Sequence, residues 1–466
     1  MKKIISFLRP NFVLILILSL FLFSRLFRIS EIPGSLYWDE ASIGYNAYSV
    51  LTTGKDEWGE VLPLHFRAFG EFKLPVYVYS VVVSEAIFGL TAFAVRLPSV
   101  IYGFFSVLGL YLLVMNLTKS KTISLLSSFL FTITPWFLIF SRTGYEAVAG
   151  LAFFLWAIFF WLQSDHKKWL IIPSVIFFLA SSYSYNSFRI LTPLFLGPIL
   201  ISFAFSTRKK KSKKNELLLL LFSAFLILAS LIPIYKLYSQ DSGLSRLQTV
   251  GTTKNLVSNY FKNYSPDFLF VNGDTNPRSQ VPGSPQLYLL DSVFILLGLI
   301  YIFKRKDFKI LYILIALILA PIPAAITRES PHALRVIFLS PVLVTISAMG
   351  IYFLLKRFKS QKRLVMVVVI ALYLLSFEGY FYKFGTIYND LSSSAWQSEY
   401  KQIFESSEGG CVSDEYAQPY IFALFYNRVN SNDFISTKVL NDVSDWGFST
   451  VASFGNYTFP KSCENF

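Results

Sequence analysis

Two adjacent carboxylates directly behind two aromatic residues, Tyr37-Trp38-Asp39-Glu40, form the first group along the chain with the makings of a reaction centre. They fall about ten residues beyond the first long apolar run, where a side chain can reach the level of lipid head groups. A carboxylate there can take a proton from an acceptor hydroxyl, and aromatic faces such as that of Trp38 hold sugar rings. A local reading competes: Asp39 and Glu40 open the apolar-periodic run Ala41 to Leu51, and acids at a helix N-terminus are favoured by its dipole. Spacing alone favours the local reading.

Further groups of the same mixed charge recur. The stretch from His65 to Pro75 carries Arg67, Glu71 and Lys73, and Arg96 opens the string Arg96-Leu97-Pro98-Ser99. A Lys and an Arg at the membrane surface can neutralise a phosphate that leaves with its lipid, or can merely snorkel and anchor their helices. Ser141-Arg142-Thr143-Gly144-Tyr145-Glu146 and the turn Arg328-Glu329-Ser330-Pro331-His332 with Arg335 add two more acid–base clusters. Several such clusters at the ends of apolar runs, on one face, weigh toward chemistry. His65, His166 and His332 have no partner at ligand spacing and read as structural. No metal site or cofactor is assigned. The carboxylates leave a divalent ion open, but hard-ion sites need more oxygen ligands than the sequence brings together.

The elements that must position these residues are membrane spans. Of the 466 residues, 54% are apolar and 15% charged, against roughly 45–50% and 25% in soluble domains. Runs of about 16 to 22 residues with almost no charge recur from Asn11 to Tyr382, which suits helices crossing a hydrocarbon core about 30 Å thick. A soluble enzyme, a fibre and a disordered chain are excluded. Eleven spans are expected, at about 12–23, 97–115, 122–140, 147–163, 169–183, 190–206, 217–235, 287–303, 310–326, 336–354 and 364–382. The first resembles a signal-peptide core without a small-x-small cleavage site, and reads as uncleaved.

Val76 to Leu90 is also apolar but short, and charge decides its place. If it does not cross, the segments on the N-terminal side are 46 residues that hold 22 of the 42 Lys and Arg, including Arg208-Lys209-Lys210-Lys211. If it crossed, every later basic loop would move outside, against the positive-inside rule. The same distribution accounts for the net charge of +14 without nucleic acid as a partner. The expectation is an N-terminus in the cytoplasm, a juxtamembrane helix at 76–90, and outer loops at 30–96 and 236–286. The membrane part would be 1–382, followed by an extracytoplasmic tail at 383–466.

The tail mixes an amphipathic helix-like run at 396–404 with strand-like runs at 434–440 and 450–454, and reads as a small α/β unit. It holds both cysteines, Cys411 and Cys463, either bonded or as two buried thiols. Asn263 and Asn456 match a glycosylation sequon that is common by chance.

Asp39-Glu40 after the first span, Lys73 with Pro75, the string Phe93 to Ser99 and the turn Ser141-Arg142-x-x-x-Glu146 together resemble the GT-C membrane glycosyltransferases. Family 39 and its relatives, the protein O-mannosyltransferases and lipid A aminoarabinose transferases, are the nearest branch. The resemblance covers roughly residues 10 to 230. It implies an all-α polytopic fold, a sugar donor on a polyprenyl phosphate, inversion at the anomeric carbon, and a lipid, glycan or protein acceptor outside the plasma membrane. It also implies a hexosyl or pentosyl transfer of the mannosyltransferase kind. By position, Asp39 matches the acid used as base, with Glu40 beside it. Lys73 matches a lysine near the lipid phosphate, and Arg96 the arginine that opens the second span. Arg142, Glu146 and Trp38 complete the expected substrate contacts. Two departures stand out: relatives commonly read Glu-Lys-Pro-Pro where this chain has Phe72-Lys73-Leu74-Pro75, displacing Glu71 by one position, and Glu146 stands one residue before an Asp of some relatives. The rival readings are a flippase for lipid-linked saccharide, which should carry polar or broken helices at mid-membrane, and a non-catalytic assembly subunit.

Overall fold

The computed structural model describes residues 2–69, 71–208, 213–239, 250–252, 254–305, 307, 310–406, 409–415, 418–443 and 448–463. Gly70 and Lys209 to Lys211 of the basic run lie outside the described residues. Helix α1 (Lys2–Leu26) is followed by an irregular segment and by α2 (Trp38–Thr53), which Gly54 ends in the left-handed conformation at φ 72°. A hairpin of β1 (Phe66–Arg67) and β2 (Phe72–Lys73) pairs Phe66 with Lys73. Helix α3 (Pro75–Phe88) starts on Pro75, whose missing N–H costs nothing at a first turn. Then come α4 (Ala92–Thr118), α5 (Lys121–Ile133), α6 (Pro135–Phe140), α7 (Ala147–Ser164), α8 (Ile171–Ser182), α9 (Asn186–Arg208) and α10 (Lys213–Tyr238). The short α11 (Leu256–Lys262) leads to α12 (Leu289–Lys304), α13 (Leu311–Leu319), α14 (Ile322–Ala325), α15 (Leu339–Arg357) and α16 (Lys362–Thr386).

Every expected span coincides with helix, but only five helices are both long and apolar enough to cross by themselves: α4, α7, the 215–238 part of α10, α15 and α16. Two of the others are divided by proline. Thr134, immediately before Pro135, adopts an extended conformation (ψ 135°), so the expected span 122–140 becomes α5 and α6. Pro321 and Pro323 likewise divide 310–326 into α13 and α14. Helix α3 has 14 residues, a length of about 21 Å that falls short of the hydrocarbon core.

In the membrane part, α12 and α15 cross closely through Gly298 and Gly350, because a Cβ on either would overlap the facing carbonyl of Ile346 or Phe294. The α10 and α16 spans bury only 6% and 22% of their residues, which places them at the rim, against lipid.

A second apolar core lies beside the first. Ile43, Ala47, Tyr77, Val78 and Val81 of α2 and α3 pack on α19 (Pro419–Tyr426), whose residues Pro419 to Phe425 are all buried. Before α19 the tail forms α17 (Tyr388–Ser392), α18 (Ser398–Ser406) and β3 (Gly410–Cys411). After it come α20 (Ser431–Thr437), β4 (Val439–Leu440), β5 (Val451–Phe454) and β6 (Tyr457–Thr458). The four strands pair in the order β3-β6-β5-β4, and a Cys411–Cys463 disulfide ties the chain's end to β3. The strand expected at 434–440 is mostly helix. Asn430 caps α20 by accepting from the Asn432 amide, and Phe434 packs edge-on against Tyr45 of α2, so strand geometry survives only at Val439 and Leu440. The tail therefore shares a core with the 30–96 segment.

Candidate active site

Asp39 and Glu40 sit in the first turn of α2, so the local reading of their spacing holds for both. Their side chains then diverge, since successive residues on a helix point roughly 100° apart. Glu40 turns into the protein and is fully buried. It accepts from the Tyr37 amide at 3.3 Å, closing a capping box, and from the Gly144 amide at 2.6 Å. Arg96 of α4 grips it bidentately, Nε to Oε1 at 3.0 Å and Nη2 to Oε2 at 3.1 Å.

Asp39 turns the other way. Its Oδ1 accepts from Lys73 Nζ at 2.6 Å, with the Asp39 side chain 24% exposed and that of Lys73 3%. The hairpin holds Lys73 in place, and Glu71 from the same hairpin brings Oε1 to 3.7 Å from Nζ. Burial alone would depress the Lys73 ammonium, but the charges of Asp39, Glu146 and Glu71 outweigh it and raise its pKa above the ordinary value. Glu146, at the N-terminal end of α7, is pushed up to about 7 by desolvation, with Lys73 opposing the shift and Asp39 and Glu71 adding to it. One ammonium is thus held among three carboxylates, one of them poised to exchange a proton near neutral pH.

These groups line a cavity of about 210 Å³ together with Tyr145, Arg189 at the head of α9, and Arg335 before α15. Arg189 Nη2 lies 2.9 Å from His65 Nε2, and burial followed by the Arg189 charge lowers the His65 pKa to about 4, so the ring is neutral and can accept from the guanidinium. Arg335 donates to Glu329 Oε2 at 3.0 Å and to Thr327 Oγ1 at 2.9 Å. The cavity therefore carries a carboxylate open to solvent and three cations, a set able to accept a proton on one side and neutralise an anion on another.

Of the residues expected from sequence, Asp39, Lys73 and Glu146 meet at this cavity. Glu71, displaced by one position in the sequence, meets them too. Arg96 and Arg142 do not. Both are fully buried, and their Nη1 and Nη2 groups donate to carbonyls of the chain reversal after α1. Arg96 donates to the carbonyls of Ile29, Pro33 and Ser35 at 2.8, 3.0 and 2.6 Å. Arg142 donates to those of Ser24, Phe27 and Ile32 at 2.9, 2.7 and 3.0 Å, and stacks over Phe384 at 4.5 Å. The reason is general: carbonyls at a buried helix end need donors, and a guanidinium supplies several in one plane. Both arginines, with Glu40, therefore lie at the turn that leads into α2 and do not line the cavity. Trp38 packs on Tyr37 and Phe69, with centroids 5.0 and 5.6 Å apart, and its amide donates to Gln397 Oε1 at 3.2 Å. Its ring does not line the cavity.

The sequence reading missed Arg189 and Arg278, and named Arg335 only as part of an acid–base cluster, without a role. Arg278, from the 236–286 loop, stacks over the Tyr37 ring at 3.8 Å and donates to the Ala395 carbonyl at 3.2 Å. Arg189 stands directly before an expected span, where an arginine reads as an interface anchor, and no spacing signal separates the two roles. Among the described residues, no three His, Cys, Asp or Glu side chains converge as a metal site.

Residues 73–234 match the family model for dolichyl-phosphate-mannose-protein mannosyltransferase, a match that begins at Lys73 itself. No curated protein matches the chain. In fold the chain is similar to the oligosaccharyltransferase AglB of Archaeoglobus fulgidus, solved in complex with an inhibitory peptide and a dolichol-phosphate. That likeness has 16% identity, a TM-score of 0.52, and covers 85% of this chain and 58% of that one. The chain thus spans under two thirds of AglB. It is also similar to ArnT of Cupriavidus metallidurans, in the apo state at 11% identity and TM-score 0.54, over 91% of this chain and 73% of that one. A second ArnT structure, bound to undecaprenyl phosphate, aligns at TM-score 0.52 over 91% and 76%.

Proposed function

We propose that this chain, a GT-C-type membrane protein by its family match over 73–234 and by its fold, transfers a sugar from a polyprenyl-phosphate donor to an acceptor hydroxyl or amine on the outer face of the plasma membrane. The observation that carries the proposal is the Asp39–Lys73 contact at the mouth of a small charged cavity, 2.6 Å long and partly open on the Asp39 side. Asp39 takes the proton of the acceptor as its oxygen or nitrogen attacks the anomeric carbon. The bond from that carbon to the phosphate oxygen breaks on the opposite face, so the configuration inverts. The electron pair stays with the phosphate, whose charge Lys73 and Arg189 neutralise. Glu146 and Glu71 keep Lys73 charged between donors. Glu40, Arg96 and Arg142 act indirectly, by fixing the turn from which α2 departs.

The test is reconstitution in liposomes with a panel of polyprenyl-phosphate hexoses and pentoses, mannose included, scored against lipid, glycan and peptide acceptors. Transfer from at least one donor, with inverted stereochemistry, is expected. Release of free sugar or passage of intact donor across the bilayer, without transfer, would point to a carrier.

Lys73→Met keeps most of the apolar stem and removes the charge. Charge-assisted hydrogen bonds contribute about 1.5–3 kcal/mol, so the donor KM should rise on the order of 10-fold to 100-fold. Unchanged KM with a lower thermal midpoint would make Lys73 an anchor only.

The proposed orientation places α3 on the outer surface, with residues 1–382 as the membrane part and 383–466 outside. A single cysteine introduced at Lys55 or at Thr91 should react with an impermeant maleimide on whole cells to the same extent. Protection of the Thr91 position alone would mean that α3 crosses.

A further inference from the structure

At the opposite ends of the spans from the cavity just described, the loop joining α4 to α5 and the C-terminal ends of α12 and α15 enclose a second cleft, of about 890 Å³. Its volume falls in the roughly 300–1,000 Å³ range of ligand sites. Among the described residues, six cations line it, Lys119, Lys121, Lys304, Arg305, Lys356 and Arg357, and no carboxylate does. Asp307, just beyond the lining, takes part of the Arg305 charge at 3.5 Å.

Helix ends explain some of these charges and not others. Lys304, Lys356 and Arg357 lie in the last turns of α12 and α15, where a cation is favoured by the dipole. Lys119 and Arg305 are the C-caps of α4 and α12, where a cation is likewise favoured, whereas Lys121 is the first residue of the 13-residue helix α5, where the dipole disfavours one. Positive charge is therefore gathered beyond what the helices need, around the positive end of α5. Such an excess suits an anion.

Aromatic rings lie among these charges. Lys356 Nζ lies over Tyr352 at 4.8 Å, Lys304 Nζ over Phe353 at 5.4 Å, and Tyr301 Oη accepts from Arg305 at 3.1 Å. Phe303 and Phe358, chain neighbours of the lining residues, are 73% and 44% exposed, which offers acyl chains an apolar flank beside the charges. We infer that this cleft is a binding site for the phosphodiester of an anionic phospholipid of the inner leaflet. Basic pockets between spans on the cytoplasmic side are the general setting for such recognition. The assignment to the inner leaflet rests on the proposed orientation, whereas the lipid preference does not.

The probe is phosphatidylglycerol, offered to the delipidated full chain in detergent in competition with phosphatidylcholine, and read by native mass spectrometry. Retention of phosphatidylglycerol at least 10-fold above phosphatidylcholine is expected, with that preference lost in the triple variant K304Q/K356Q/R357Q. All three side chains are exposed, so the variant should stay folded, with only a small drop in thermal midpoint from the lost helix-end charges. The wild-type comparison needs no variant at all. Equal retention of the two lipids, or an unchanged preference in the triple variant, overturns the inference. Displacement of phosphatidylglycerol by millimolar inorganic phosphate also overturns it, in favour of a free-phosphate site. Because the readout involves no sugar transfer, it stands or falls apart from the proposed reaction.

Discussion

Asp39→Asn is expected to slow sugar transfer by about 100-fold to 10,000-fold, the usual cost of losing a general base, while donor binding largely survives. Asparagine keeps the size and one acceptor oxygen, so Lys73 Nζ retains a partner at that position and still has Glu71 Oε1 at 3.7 Å. An exposed acid that only favours its helix end contributes about 0.3–1 kcal/mol, and its loss would appear as a small drop in thermal midpoint with activity intact. Steady-state kinetics and a melting curve on the same preparation separate the two. Glu40→Gln is the companion variant. If it alone abolished transfer in folded protein while Asp39→Asn stayed active, the roles of the two carboxylates would be exchanged.

Arg96→Met should act on the fold and not on the donor. Breaking a fully buried pair by removing one partner costs about 3–5 kcal/mol, because the remaining charge is left uncompensated. Here the Glu40 carboxylate would remain, 0% exposed, and the carbonyls of Ile29, Pro33 and Ser35 would lose their donor. The expected result is a sharp fall in purified yield and thermal midpoint, with the donor KM of surviving protein little changed. Adding Glu40→Gln to Arg96→Met should recover part of the lost stability, which a double-mutant cycle measures directly. A raised donor KM with an unaltered melting curve would instead return Arg96 to the phosphate.

The apolar helices, and the acid pair that follows the first of them, were legible in the sequence because both rest on local physics. A run of 16 or more apolar residues has one low-energy place to be, and the carbonyls and amides inside it have one way to be satisfied there. The breaks at Pro135 and Pro321 were equally local in cause, yet an average over a window hides a single proline. Strand-like composition at 434–440 misled because the Asn430 cap and the packing of Phe434 on Tyr45 outweigh β propensity.

What only the tertiary structure decided is which charge faces the cavity. Asp39 and Glu40 differ by one position, and Arg96, Arg142 and Arg189 each lie at an end of an apolar run, so sequence offers no ground for choosing among them. Folding divides them by burial. Glu40, Arg96 and Arg142 lie where no water reaches, and a charge there needs polar partners, so Glu40 and Arg96 pair with each other and both arginines donate to the carbonyls of the turn at 24–35. Asp39 lies where a cavity leaves one side open, beside a lysine brought in by a hairpin 34 residues away. Partner choice over that separation depends on how α2, α4, α7 and the hairpin meet, and side-chain type alone does not encode it.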